Sequence, residues 1–279
     1  MPELPEVETV KEVLKPKIIG KKINEVLVHH EKMIKTGDAA QFKKNLLNQR
    51  FKDIRRRGKY LIFELDDYFL LSHLRMEGKF FYGDEQGVRD NHTHVEFILE
   101  GGAKLKYEDV RKFGTFHLYP KETILEATPS LAVLGPEPWE ADFNIEKVLK
   151  YFKGKSAPVK SMLLSQKVVA GLGNIYVDEV LFASNVHPMK RCCDITAKEV
   201  GKIIRNTQEI LSEAIIHKGT TIKSFSSQHG SAGGFQDFLQ VHTKKDESCP
   251  ICGDTIIKTK VGGRGTYFCA TCQPMGQKT

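Results

Sequence analysis

Lys59-Tyr60-Leu61-Ile62-Phe63-Glu64-Leu65, then Asp66-Asp67, then Tyr68-Phe69-Leu70-Leu71 is the stretch that decides the first half of this chain. Branched and aromatic residues crowd both sides of an Asp-Asp pair, which predicts two antiparallel strands and a tight turn. The same punctuation recurs downstream, where residues 94–99 and 104–107 flank Gly101-Gly102. A strand-like pattern runs from Lys21 to about Tyr119, interrupted over residues 38–47 by an expected short helix. Many short strands separated by turn residues read as a β-sandwich with helices at its margin.

Upstream, residues 5–15 predict a helix. Val7, Val10 and Leu14 share one face, Pro5 is tolerated in a first turn, and Glu6 and Glu8 suit the positive end of the helix dipole. Gly20 closes the segment. Downstream, Leu134-Gly135-Pro136-Glu137-Pro138 is a break and a candidate interdomain hinge. Helical patterns follow it. Ser156 with Pro158 reads as a helix start before Met162-Leu163-Leu164. Thr196-Ala197-Lys198-Glu199 is a capping box. It opens a helix carrying Val200, Ile203, Ile204, Ile210, Leu211 and Ile215 that ends at Gly219. Residues 220–234, rich in Ser, Thr and Gly, predict a mobile loop.

At about 150 residues per domain, 279 residues correspond to roughly two domains. A net charge of +7 favours a polyanionic partner: nucleic acid, an anionic membrane surface or an acidic protein. No apolar run is long enough to span a bilayer. The start, Met1-Pro2-Glu3-Leu4-Pro5-Glu6, is acidic and proline-rich, unlike a secretory signal. A cytoplasmic protein without a membrane partner is therefore expected.

Three motifs carry chemistry. Cys249-x2-Cys252-x16-Cys269-x2-Cys272 has the spacing of a tetrahedral zinc site, against the alternatives of two disulfides or four unlinked thiols. Four protein ligands would make that one zinc structural. Between the pairs, Gly262-Gly263-Arg264-Gly265 predicts a hairpin tip that is either a basic contact or a solvated turn. Gly171-Leu172-Gly173-Asn174 leads into a helix and is either a phosphate-holding turn or simply a tight one. Pro2, once Met1 is removed, would carry a secondary amine. With a pKa of about 8 for an α-amino group, far below that of a lysine, much more of it than of a lysine is unprotonated at neutral pH and able to attack a sugar C1′. Read alone, a proline-rich start is better taken as ordinary helix punctuation.

Pro2-Glu3-Leu4-Pro5-Glu6-Val7-Glu8-Thr9 resembles the N-terminal signature of formamidopyrimidine-DNA glycosylases. Arg57-Gly58-Lys59-Tyr60-Leu61, His73-Leu74-Arg75-Met76, Leu134 to Pro138, Gly171 to Tyr176 and the cysteine hairpin follow in family order, so the resemblance covers nearly the whole chain. It implies an α+β fold. An N-terminal β-sandwich domain with flanking helices would span 1–134, and a linker 135–150. A helix–two-turn–helix domain with a lesion-capping loop would span 151–234, and a zinc-finger β-hairpin 235–279. Damaged double-stranded DNA would lie in the cleft between domains, bound by a monomer in a bacterial cytoplasm at the nucleoid, with the lesion flipped out of the stack.

The resemblance also assigns roles. Pro2 matches the nucleophile and Glu3 the acid/base residue. Lys59 matches the lysine of β-elimination, and Arg264 the arginine of phosphate binding and δ-elimination. Met76, Arg111 and Phe113 match residues that fill the void left by the flipped nucleotide, with Arg111 facing the opposite cytosine. His92, Lys155 and Asn174 match DNA contacts. His73 and Lys258 are further phosphate candidates, and Lys160 a weaker one. Glu6 and Glu77 would lie near the lesion. The implied reaction is excision of oxidised purines (8-oxoguanine, formamidopyrimidines) through a Pro2 Schiff base, then β,δ-elimination.

An endonuclease VIII-like glycosylase for oxidised pyrimidines shares Pro2, Glu3 and the zinc hairpin, but the Met76/Arg111/Phe113 set argues against it. A non-enzymatic DNA binder is opposed by the intact Pro2, Glu3 and Lys59. One departure stands out: His242-Thr243-Lys244-Lys245 replaces the family's tyrosine, glycine and basic residue, implying altered, pH-sensitive phosphate binding. Cys192 and Cys193 lie outside the zinc pattern and read as free thiols.

Overall fold

The computed structural model describes residues 1–83, 90–220 and 233–275. The chain folds into two compact units, Met1–Thr128 with Lys218–Gly233, and Pro129–His217 with Gly234–Thr279.

In the first unit the order is α1 (Leu4–Ile18), β1 (Ile23–Val28), α2 (Ala39–Leu46), β2 (Asp53–Arg57), β3 (Tyr60–Glu64), β4 (Tyr68–His73), β5 (Lys79–Gly83), β6 (Thr93–Leu99), β7 (Lys104–Glu108) and β8 (Thr115–Pro120). The strands form two antiparallel four-stranded sheets, ordered β1-β6-β7-β5 and β2-β3-β4-β8. Val95, Phe97, Leu105 and Tyr107 of one sheet share a buried core with Ile54, Leu61, Phe63, Leu70 and Phe116 of the other. Each such side chain contributes roughly 1.5–3 kcal/mol on burial. The rings meet edge-on, Tyr107 and Phe116 at 4.9 Å. This is the β-sandwich expected from the alternating runs, and both predicted hairpins are present.

The flanking helices obey the same logic. Val7, Val10 and Leu14 face the core, and Leu4 and Ile18 lengthen that face beyond the expected 5–15. Pro16 lies in the last turn, where it removes only one helix bond. Asp38 caps α2 by accepting the Gln41 N–H at 2.7 Å.

The second unit contains α3 (Ile145–Phe152), α4 (Val159–Leu164), α5 (Asn174–Ala183), α6 (Ala197–Ile216), β9 (Ile256–Val261) and β10 (Arg264–Cys269). Thr196 and Glu199 form the predicted capping box at α6. Its buried stripe is Val200, Ile203, Thr207, Leu211 and Ala214. Ile204, Ile210 and Ile215 are only half-buried, so the face is rotated from a purely apolar one. α4 starts where Ser156 with Pro158 predicts, ahead of Met162-Leu163-Leu164. Pro158 takes the cap position and Ser156 makes no capping bond, because a proline preset near helical φ begins the turn without a side-chain acceptor. Most of the expected loop at 220–234 lies outside the described residues.

Candidate functional site

The first unit gathers the residues expected to do chemistry at one end of α1. Pro2 is buried, and Glu3 is 2% exposed at the helix N-cap. The Glu3 N–H donates to Glu6 Oε2 at 2.8 Å, which fixes the peptide that follows Pro2. The other oxygen of Glu6 accepts the Thr220 N–H at 2.8 Å and the Thr220 hydroxyl at 3.3 Å. Gly219 permits this approach. Its φ is +75°, and a Cβ there would lie 2.4 Å from Glu6 Oε1. One buried carboxylate thus ties the first residues to the segment leading into residues 221–232.

Lys59 is set by the turn between β2 and β3. Gly58 has φ +54°. Its carbonyl accepts Arg56 Nη1 at 3.0 Å, and Arg56 Nε donates to Glu8 Oε2 of α1 at 2.7 Å. The turn is therefore strapped to the helix that begins at the nucleophile candidate. Lys59 is 6% exposed. Register then pairs Tyr60 with His73 across β3 and β4, ring centroids 4.5 Å apart.

His73 is buried, and its Nδ1 accepts the Arg75 N–H at 2.9 Å. The ring proton therefore sits on Nε2. Burial first, then the positive charges of Arg75 and Lys59, push His73 down to about 3. It is a neutral N–H donor at physiological pH, suited to a phosphate oxygen, and not a proton shuttle.

The three void-filling candidates sit on two turns. Met76 is half-buried in the turn between β4 and β5, where Arg75 has φ +57°. Arg111 and Phe113 lie between β7 and β8, with the guanidinium 4.8 Å over the Phe113 ring. Phe113 is 52% exposed, so it does not pack in the core. Exposed His92 precedes β6. Glu77 is half-buried beside Met76.

The second unit holds the remaining candidates around the β9–β10 hairpin. Gly262 and Gly263 have φ +54° and +76°, the signs a two-residue turn of the I′ type requires, and exposed Arg264 follows them. Lys258 stands opposite Tyr267, its ammonium 5.1 Å over the ring. Asn174 opens α5 after Gly173, and its Nδ2 donates to the Gly265 carbonyl at 2.9 Å. That bond places a second helix start against the residue following Arg264. The Lys155 ammonium lies 3.4 Å over the Tyr151 ring.

Lys160 is not a surface contact. It is fully buried, donating to Asp178 Oδ1 at 2.7 Å, Thr266 Oγ1 at 2.8 Å and the Gly265 carbonyl at 3.0 Å. The sequence could not show this, because the partners lie 18, 105 and 106 residues away. His242 is likewise turned inward, with Nδ1 2.9 Å from Asp178 Oδ2. Glu179 accepts the N–H groups of Gln240, Val241 and His242. Asp178 and Glu179 were not singled out by the sequence, although both follow within three residues of the Gly171–Tyr176 motif.

Cys249, Cys252, Cys269 and Cys272 converge, with all four sulfurs within 4.8 Å of one another and no disulfide among them. Cys249–Cys272 and Cys252–Cys269 are separated by 3.8 and 3.5 Å. A zinc tetrahedron with Zn–S of about 2.3 Å needs roughly 3.8 Å between sulfurs, so the cluster fits one structural zinc ion. Cys192 is buried and Cys193 exposed, both outside this cluster. Among the described residues no helix is long and apolar enough to cross a membrane.

Comparison with known proteins gives a consistent result. Residues 1–116 match the model of the formamidopyrimidine-DNA glycosylase N-terminal domain, 134–226 that of its H2TH domain, and 246–274 a zinc finger found in FPG and IleRS. The chain is 46% identical to formamidopyrimidine-DNA glycosylase of Mycoplasma genitalium over 281 residues, covering 100% of this chain and 98% of the relative. It is 47% identical to that of Streptococcus pneumoniae over 273 residues, covering 98% and 99%. Among solved structures, Lactococcus lactis Fpg with DNA containing an abasic site superimposes with a TM-score of 0.91 at 41% identity, covering 98% of this chain and 99% of that one. MutM with DNA containing carbocyclic 8-oxo-G gives 0.90 at 41% identity, covering 98% and 100%.

Proposed function

The chain belongs to the formamidopyrimidine-DNA glycosylase family, and we propose that Pro2, freed by removal of Met1, is the nucleophile through which it works. It excises oxidised purines from DNA in base excision repair, with the AP lyase activity characteristic of the family. The observation that supports the Pro2 assignment is the buried Pro2–Glu3 pair at the start of α1, its next peptide held by Glu6.

The unprotonated Pro2 amine attacks C1′ and the glycosidic bond breaks, the base leaving with a proton. The C1′–O4′ bond opens as the iminium forms, and Glu3 supplies the proton to O4′. Loss of a C2′ proton expels the 3′ phosphate, and a second elimination expels the 5′ phosphate. Hydrolysis of the iminium returns Pro2. Lys59 donates a proton and contacts phosphate during β-elimination, and Arg264 serves δ-elimination. His73, His92, Lys155, Asn174 and Lys258 contact the DNA. Met76, Arg111 and Phe113 occupy the void. Residues 1–134 form the N-terminal domain that carries Pro2, Glu3 and Lys59, 151–234 the helical and lesion-covering part and 235–279 the zinc hairpin that carries Arg264, with 135–150 as the linker. The protein acts as a monomer on damaged duplex in a bacterial cytoplasm.

Borohydride trapping on an 8-oxoguanine:cytosine duplex tests the assignment. The processed protein should give a covalent adduct that maps to Pro2, and a form retaining Met1 should give none. An adduct on a lysine, or equal trapping with Met1 in place, would sink it. A thymine glycol duplex run in parallel should be processed more slowly.

A further inference from the structure

We propose that Asp109, supported by Tyr107, is the positioning residue for the void-filling side chains. This rests on the assignment of Met76, Arg111 and Phe113 made above. Asp109 is 1% exposed, at the exit of β7. Its carboxylate is aimed at the loop that follows. Oδ1 accepts the Arg111 N–H at 3.0 Å, and Oδ2 accepts the N–H groups of Phe113 and Gly114 at 2.9 and 2.8 Å. Its carbonyl accepts His94 Nε2 at 2.9 Å and the Lys112 N–H at 3.2 Å, and its own N–H donates to the His92 carbonyl at 3.0 Å. Lys112, between these bonds, takes φ +57°, an uncommon conformation for a residue with a Cβ. A single residue therefore fixes the backbone of both exposed side chains and of His92.

Tyr107 extends the support to the second turn. It is fully buried, and its hydroxyl lies against Gly78 and Gly114. A Cβ at Gly78 would be 2.1 Å from that oxygen, and one at Gly114 1.7 Å. Gly78 closes the Met76 turn, its N–H donating to the Leu74 carbonyl at 3.0 Å. One phenol thus packs beneath both turns, and the two required glycines let it do so. Burial first, then the Asp109 carboxylate, push the phenol well above its ordinary range, so it stays neutral. The arrangement presents Arg111 and Phe113 before DNA arrives, which avoids ordering an exposed loop on binding.

Asp109→Asn tests this, because it keeps size and places an N–H₂ where an acceptor oxygen stood. In free protein, hydrogen exchange of the 110–116 backbone should accelerate at least tenfold. Excision from an 8-oxoguanine:cytosine duplex should lose about 10- to 100-fold in kcat/KM, and the preference for cytosine over adenine opposite the lesion should flatten. Trapping at a preformed abasic site in single-stranded DNA should stay within twofold. Unchanged exchange would overturn the support itself. Faster exchange with opposite-base preference intact would overturn the positioning role if Arg111→Ala abolishes that preference. If Arg111→Ala also preserves it, the void-filling assignment is what fails, and this inference falls with it. Should Asp109→Asn not fold, amide exchange in the unaltered protein decides: random-coil rates at Phe113 and Gly114 would refute the carboxylate bonds, and strong slowing would support them.

Discussion

Asp109 in the first unit and Asp178 in the second are both about 1% exposed, yet they do different work. Asp109 accepts three backbone N–H groups within five residues, so its charge is met by peptide dipoles. Asp178 accepts the Lys160 ammonium, His242 Nδ1 and, at 3.3 Å, the Tyr267 N–H. Its charge is met by a buried cation, and its partners come from α4, β10 and the segment before the zinc cysteines. A dipole-held carboxylate shapes one loop. A cation-held carboxylate joins distant parts of the chain. The first kind should fail locally when altered and the second globally, because a stranded loop amide can turn to water whereas a stranded buried ammonium cannot.

The largest effect should come from Asp178→Leu, which leaves Lys160 buried without its counter-charge. Denaturant unfolding of the second unit should show a loss of about 3–5 kcal/mol, and zinc should be released by chelators more readily. Pairing it with Lys160→Met should restore most of that loss. If the double variant is as unstable as the single one, the ion pair is not what makes Asp178 matter. Asp109→Asn should cost the first unit less, about 1–3 kcal/mol for its unmet amides, without changing zinc affinity. Equal losses for Asp109→Asn and Asp178→Leu would erase the distinction between the two carboxylates.

Two histidines sharpen the same contrast. His73 lies among cations, and His242 faces Asp178. Because His73 is depressed to about 3 from an ordinary 6.5, the unfolded chain binds more protons than the folded one between those values. Stability of the first unit should therefore fall as pH drops from 6.5 toward 3, by up to about 1.4 kcal/mol per pH unit from this residue. His73→Gln should flatten that slope, and a curve that keeps its slope would contradict the assigned neutrality. The smallest effect is expected at a surface cap. Thr196→Ala should cost α6 about 1 kcal/mol by thermal or chemical unfolding.

Much of the molecule was legible because it is written at short range. The face of α1 is set by Val7, Val10 and Leu14, the capping box by Thr196 and Glu199, and the zinc site by two Cys-x2-Cys pairs. The Gly262-Gly263 turn needed only two residues free to take positive φ. Lys160 misled for the opposite reason. A lysine reads as exposed by its residue type, even between Val159 and Met162, and only its distant partners at Asp178, Gly265 and Thr266 make burial tolerable. Asp109 stood two residues from Arg111 and drew no notice, since one more acidic residue in a charged turn has no spacing that marks it.

The sequence by itself determined the helix faces, the strand pairs, the zinc ligands and, through ordered motifs, the family and its nucleophile candidate. Those features depend on periodicity and on groups a few residues apart. Only the tertiary structure decided which carboxylate meets a cation and which meets amides, that His73 stays neutral, and that Tyr107 underlies two turns at once. Those outcomes depend on desolvation and on partners from remote segments, and neither is a property of any local stretch of chain.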